Sequence, residues 1–343
     1  SRIITNLYLQ NSYGQVTNIS LKRGEPLDWS IYGKYQLKRF ADLVVELGTR
    51  LNIVTLSKGK SVGTPFEPRL RLVYRFSPLI RIQASAGVFT QGLTTLTDED
   101  EVTSVYEPWI VLPDYLNSTK STHYVAGIDF NLTDNWNIGA ESYYKKTSNL
   151  PILNKNKIFP SDPDLIVAFN EAYGIELVNT LQYNNINFTA NYSLAWVYNT
   201  IDDIRYRPKY DARHTLNLTM NTNFFNGWYV GIVWTYRSGM PFTKLVGYYD
   251  KFYFNDNPNE FSILNEYSRF SLLDERNTGQ TPSYHRLDIN ISKKFEYSFV
   301  KLFIGASILN IYNRENLFYF DLNSGERVNM LPFLPSIFIK AEI

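Results

Sequence analysis

Between His214 and Tyr236 the chain reads HTLNLTMNTNFFNGWYVGIVWTY, and its apolar positions recur at every second residue. Leu216, Leu218, Met220 and Phe224 alternate with the small polar Asn217, Thr219, Asn221 and Asn223, the period of a strand whose two faces meet different surroundings. Asn226-Gly227 supplies a two-residue turn in which both positions tolerate positive φ. Trp228, Val230, Ile232, Trp234 and Tyr236 then resume the apolar face. The pattern predicts a hairpin of two strands, each of about ten residues or more.

The same pattern predicts about fifteen strands. They lie near 2–11, 14–23, 28–38, 42–57, 66–77, 79–91, 119–132, 135–148, 174–184, 186–199, 210–224, 228–240, 281–295, 299–312 and 333–343. Short turns (NSYGQ, RFAD, FSPL, LTDNW, YNNI, FNGW, FEYSF) face connections that include long polar ones, near 92–118, 149–173, 241–280 and 313–332. Turns on one rim and loops on the other describe an all-β transmembrane barrel of antiparallel strands, with the turns in the periplasm and the loops outside the cell. A soluble β-sandwich uses strands of about five or six residues, whereas strands of about ten cross a tilted bilayer path. Trp136 and Tyr144, Trp196 and Tyr198, and Trp228 and Tyr236 sit toward strand ends, where interfacial girdles lie.

This reading assigns the two faces. Leu70, Leu72, Tyr74, Ile80, Ile82, Tyr124, Ile128, Phe188, Leu216, Val230, Ile289, Ile304 and Ile337 are expected to meet lipid. Arg69, Arg71, Arg75, Arg81, Arg286, Asp288 and Lys340 are expected to face the lumen and a plug, with Gln83, Asp129, Glu141, Glu176 and Asn217. A cation at the lipid midplane costs roughly 2–4 kcal/mol, so these charges must turn inward. They are too many for a dry interior, and water or partners of opposite sign must meet them.

Composition narrows the class further. The 343 residues are 44% hydrophobic and 16% aromatic, with 26 Tyr, 22 Phe and a net charge of +1, and mean hydropathy is -0.26. There is no apolar run of about 18 residues for a membrane helix, and no basic stripe for nucleic acid. The absence of Cys excludes a disulfide scaffold and thiolate metal sites. SRIITNLYLQ lacks the order of a signal peptide, so a removed signal or a start further upstream is expected.

Several stretches resemble the C-terminal part of the barrel of TonB-dependent outer-membrane receptors. They are EPRLRLVYRFSPLIRIQASAGVFTQ at 67–91, HYVAGIDFNLTDNWNIGAESYYKKTSNLP at 123–151 and YDARHTLNLTMNTNFFNGWYVGIVWTYRSGMPFT at 210–243. PSYHRLDINISKKF at 282–295, LNIYNREN at 309–316 and the closing LPFLPSIFIKAEI follow in order. The resemblance covers residue 60 to the end, the earlier residues being consistent but less distinctive. It implies an integral outer-membrane barrel of about 22 strands, occluded by an N-terminal plug and importing a scarce ligand with energy delivered by TonB. Plug, TonB-contacting box and early strands are absent from these residues, and the final Ile343 departs from the family's usual terminal aromatic. An odd number of strands cannot close antiparallel, so the remaining strands and plug are expected from the same or a separate polypeptide.

Chemistry is sparse. No nucleophile motif, HExxH or phosphate loop occurs, so no catalytic residues, metal site or cofactor are expected. His123, His214 and His285 each begin a downward strand and read as interfacial polar aromatics. The run Asp98 to Glu101 lacks the spacing of a calcium loop. DPDLIVAFNEAYG at 162–174, with Pro163 at its start and Gly174 at its end, reads as a short helix or structured loop over the mouth. The 241–280 loop carries Tyr248, Tyr249, Phe252, Tyr253, Phe254, Tyr267, Arg269 and Phe270, which can stack on sugars or catecholate-type chelates; packing on neighbouring loops or a surface lipoprotein is the competing reading. Two functions remain open: an importer of a ferric chelate, cofactor, peptide or glycan, and a structural subunit of a larger outer-membrane complex.

Overall fold

The computed structural model describes residues 3–10, 16–24, 27–38, 42–56, 60–61, 66–96, 107, 109–113, 115–157, 159, 161–224, 227–250, 269–320 and 326–342. Among them are fifteen strands of eight to nineteen residues, which we number in chain order. They are β1 (Ile3–Gln10), β2 (Val16–Gly24), β3 (Leu27–Leu37), β4 (Leu43–Leu56), β5 (Phe66–Arg75), β6 (Ile80–Gln91), β7 (Thr119–Thr133) and β8 (Trp136–Leu153). The rest are β9 (Leu165–Tyr183), β10 (Ile186–Ile201), β11 (His214–Phe224), β12 (Trp228–Arg237), β13 (Tyr284–Glu296), β14 (Lys301–Leu309) and β15 (Leu334–Glu342).

From β3 to β15 each strand pairs antiparallel with its chain neighbours, the topology of an up-and-down barrel wall. Among the described residues β3 and β15 pair on one side only. β1 and β2 pair with each other in a separate two-stranded sheet, so thirteen strands, not fifteen, form the continuous ladder.

Register turns sequence alternation into two faces, because directly paired residues project to the same side. Leu70, Ala86, Tyr124, Tyr144, Tyr173 and Trp196 form one row across β5 to β10. Tyr74, Ile82, Ile128, Ala140, Leu177, Tyr192 and Leu216 form another on the same face. The opposite face carries the row Gln83, Gly127, Glu141, Glu176, Ser193, Thr215 and Arg237. One pleat further lie Arg75, Arg81, Asp129 and Gly139. At the short-turn end Gly227 has φ +76, and a Cβ there would lie 2.8 Å from the Lys294 carbonyl oxygen, so the turn accepts only glycine comfortably. Its predicted partner Asn226 lies outside the described residues.

Two readings of the long connections are corrected. The stretch expected as a helix or mouth loop at 162–174 is strand from Leu165 onward, and β8 runs on to Leu153, so the 149–173 loop shrinks to 154–164. Leu150, Pro151, Ile152 and Leu153 pair with Ala168, Val167, Ile166 and Leu165 after a register shift at Asn149, whose φ is 55. Two β-rich partners in ladder geometry outweigh the local Pro and Gly signals of an isolated helix. Second, the 92–118 connection contains the paired strands Leu93–Thr95 and Trp109–Val111.

The buried apolar side chains Leu96, Ile110, Leu112, Leu116, Leu153, Leu165 and Ala168 all lie at this long-loop rim. Leu96, Ile110, Leu116, Leu153 and Leu165 form one cluster that fastens the loop to the tips of β8 and β9. The rim therefore has a core of its own and can present a fixed surface.

Candidate functional site

At the rim, β10 folds back through Asp202 (φ 46) and Asp203 (φ 66) onto the short strand Ile204–Tyr206. Asp tolerates the left-handed region that such a two-residue turn requires. The register then places Arg205 opposite Thr200 and Tyr206 opposite Asn199. The following bend is held by Asp211, which is fully buried. Its carboxylate accepts from Arg207 Nε at 2.6 Å, from an Arg213 guanidinium nitrogen at 3.2 Å and from the Val197 amide at 3.2 Å. A buried carboxylate is tolerable because these donors replace water.

A second segment docks on this bend. Asn277, 7% exposed and at φ 56, donates its amide to the Arg207 carbonyl at 2.9 Å. Its backbone amide reaches Thr243 Oγ1 at 3.3 Å. Beside it the Thr278 hydroxyl, at 2.8 Å, and the Glu275 amide hold the Asp274 carboxyl below the usual carboxylate range. Asn199 is buried under the same bend, accepting from Asn170 at 2.8 Å.

Between the two segments opens a cleft of about 780 Å³, lined by Asn156, Tyr198, Asp202, Arg205, Tyr206, Arg207, Glu275, Arg276, Asn277 and Thr278 among others. Arg205 stacks over Tyr198 at 3.9 Å and Arg276 lies 5.6 Å from the Tyr206 ring centre. Three guanidinium groups, two tyrosine rings and two asparagine amides suit a polar, ring-bearing ligand with acceptor oxygens.

The polar face of the wall carries a smaller cleft of about 400 Å³, lined by Tyr32, Lys34, Glu46, Arg50, Arg69, Arg71, Phe89 and His123 among others. Arg69 lies 4.5 Å from the Phe89 ring centre, and Phe89 is 4.6 Å from His123. Behind Arg69 sits Glu67, 2% exposed, which accepts from Arg69 at 2.7 Å, Asn52 at 2.6 Å, Thr90 Oγ1 at 2.6 Å and the Thr90 amide at 2.9 Å.

The sequence-selected residues fall in three groups. Tyr248 and Tyr249 lie on the strand Leu245–Asp250, with Tyr249 opposite Phe270 and Asp250 opposite Arg269. Phe252, Tyr253, Phe254 and Tyr267 lie outside the described residues, as does the acidic run at 98–101. Arg69, Arg71, Arg75, Arg81, Arg286, Asp288 and Lys340 share the polar face. Several already have carboxylates within the wall: Arg69 with Glu67, Arg81 with Asp129 at 2.9 Å, Arg286 with Asp288 at 2.8 Å and Lys340 with Glu342 at 2.6 Å. His214 bonds Tyr192 at 2.9 Å and His285 bonds Tyr312 at 2.8 Å on the apolar face, whereas His123 lies on the polar face, so the three do not converge.

Arg205, Arg207, Asp211, Arg276 and Asn277 were not singled out by pattern. The dense DDIRYRPKYDARH stretch was the only signal for the first three, and nothing local marked Arg276 and Asn277.

A wall of antiparallel next-neighbour strands with opposite faces, short turns below and a structured rim above defines a barrel. The family described as TonB dependent receptor-like, beta-barrel matches residues 4–313. The chain belongs to that family. No curated protein sequence matches the chain. Among solved structures it is similar to the ferripyoverdine receptor of the outer membrane of Pseudomonas aeruginosa bound to ferripyoverdine, at 12% identity and a TM-score of 0.64, covering 96% of this chain and 40% of that one. It is similar to the siderophore receptor PirA from Acinetobacter baumannii at 15% identity and a TM-score of 0.59, covering 92% and 46%. For the ferric yersiniabactin uptake receptor FyuA from Yersinia pestis the values are 12%, 0.60, 93% and 46%. The chain spans less than half the length of these solved receptors.

Proposed function

We propose that the chain is the C-terminal part of the barrel of an outer-membrane receptor that captures a scarce nutrient at its long-loop rim and imports it without altering it. The observation that carries this reading is the rim cleft itself, walled by two segments locked through Asp211 and Asn277 on a barrel of this family. Guanidinium groups beside tyrosine rings favour a ferric chelate with anionic, ring-bearing arms. The similar fold of the ferripyoverdine receptor and of the siderophore receptor PirA supports the same class. We propose Tyr248, Tyr249, Phe252, Tyr253, Phe254, Tyr267, Arg269 and Phe270, from the same 241–280 connection as Glu275 to Thr278, as a second set of contacts.

The polar face lines the lumen, where Arg71, Arg75 and their neighbours meet a plug and remaining strands supplied from outside these 343 residues. TonB acts through that plug. The test uses cells carrying the complete receptor and iron-59-labelled ferric chelates of catecholate, hydroxamate and citrate type. Deleting the gene should abolish uptake of one class, and Arg205→Ala with Arg276→Ala should weaken its binding about ten-fold or more. Uptake of all three unchanged by deletion removes the ferric-chelate reading.

A further inference from the structure

The outer face just above the aromatic row carries charge that the receptor reading leaves unexplained. On β8, Tyr144 and Trp136 are eight positions apart on that face, about 27 Å along the strand and about 20 Å along the barrel axis at a tilt of about 40°. That spacing is close to the roughly 25 Å apolar band between interfacial girdles. Tyr124 and Tyr173 flank Tyr144 in the same row, and Tyr173 stacks on Trp196 at 5.4 Å, which marks the membrane boundary on the long-loop side.

One row higher, on the same face, stands Lys146 opposite Thr122; Lys120, opposite Ser148, lies one step beyond. Both lysines are exposed, and neither forms an ion pair among the described residues. The nearest acid, Glu171, is opposite Lys146 but is already engaged by Arg205 at 3.3 Å and the Tyr144 hydroxyl at 3.0 Å. Two ammonium groups on adjacent strands, diagonally placed at about 7–8 Å, can close on one phosphate. They stand at the height where lipid phosphates begin, and the strand below them on this face is uncharged down to the turn.

We propose that Lys120 and Lys146 form a binding site for a phosphate of an outer-leaflet glycolipid, with Tyr124 and Tyr144 against its first acyl carbons. The inference rests on the outward orientation of the long loops. It is tested on the complete receptor purified in detergent, by native mass spectrometry with bisphosphorylated lipid A and with the same lipid dephosphorylated. The wild type should retain the phosphorylated form, the double variant Lys120→Gln and Lys146→Gln should lose at least ten-fold of that retention, and the double arginine variant should keep it. Heat-modifiable migration confirms that each variant is folded. Equal retention by the glutamine variant, or equal retention of the dephosphorylated lipid, overturns the site.

A separate arm places a single cysteine at the exposed Ser161, in the 154–164 connection, and labels intact cells with an impermeant maleimide. Labelling with unchanged lipid retention overturns the lipid site alone. Absence of labelling overturns the receptor orientation and the lipid site together.

Discussion

Neighbouring residues on one strand belong to opposite faces, and Arg71 and Leu72 are the sharpest pair. Leu72 shares a row with Ala84 and Ala126 on the apolar face, whereas Arg71 points to the other side and donates to Gln83 at 3.3 Å. Leu72→Arg should cost about 2–4 kcal/mol where it meets the bilayer midplane. Arg71→Leu gives up one weak hydrogen bond. The yield of heat-modifiable barrel in outer-membrane fractions should fall for the first and change little for the second. Equal losses would reverse the face assignment. At the rim, Asp211→Ala leaves two guanidinium groups facing each other. The cost falls at or below the lower end of the roughly 3–5 kcal/mol of a broken buried pair, since the Arg207 side chain is 32% exposed. Amide exchange should quicken across 202–213 and 274–278 while the wall stays protected.

Elements show where local signals decide and where they do not. The strand core of β11 and β12 is set by alternation and by the turn at Gly227, and both are legible residue by residue. The upper part of β9 is different. Pro163 and Gly174 read locally as the start and stop of a helix, yet Gly174 lies opposite Tyr143, whose ring covers it; a Cβ there would lie 2.5 Å from the Leu194 carbonyl oxygen. That glycine answers a cross-strand neighbour, which no local rule can see. The extension it permits carries Leu165 into the rim cluster with Leu96 and Ile110. Leu165→Ala should cost about 2–5 kcal/mol, confined to the rim. Proteolysis within 93–112 should accelerate while barrel heat-modifiability is kept; loss of the whole barrel would mean that rim and wall unfold as one.

For the whole molecule, the proposed import mechanism turns on the charges of the polar face. The expectation that all of them await outside partners is narrowed, since Arg69, Arg81, Arg286 and Lys340 have carboxylates within the wall. Arg75, directly opposite Arg81, has none among the described residues and is the clearest group left for a plug or water. An ion pair as exposed as Lys340–Glu342 is worth little, about 0–1 kcal/mol, so under the proposed mechanism a plug can slide past it when pulled, whereas Glu67 is buried and holds Arg69 in the wall. The complete receptor should therefore conduct little in planar bilayers until its plug is deleted, and uptake should collapse when the proton-motive force is dissipated. Steady conductance from the intact protein, with uptake indifferent to that force, would make it a passive pore.

The sequence alone determined most strands of the wall and their two faces, because a period of two and a tight turn are properties of neighbouring residues, and the ordered stretches from 67 onward carried the resemblance to the family. It also marked Arg69, Arg71 and Arg286 as belonging away from lipid, since only one face of each strand is polar. Tertiary structure decided the rim. Asn277 meets the carbonyl of Arg207 seventy residues earlier in the chain, and Leu96 meets Leu153 and Leu165 from another loop. Such contacts depend on where the barrel brings separate connections together, and no periodicity along the chain encodes that meeting.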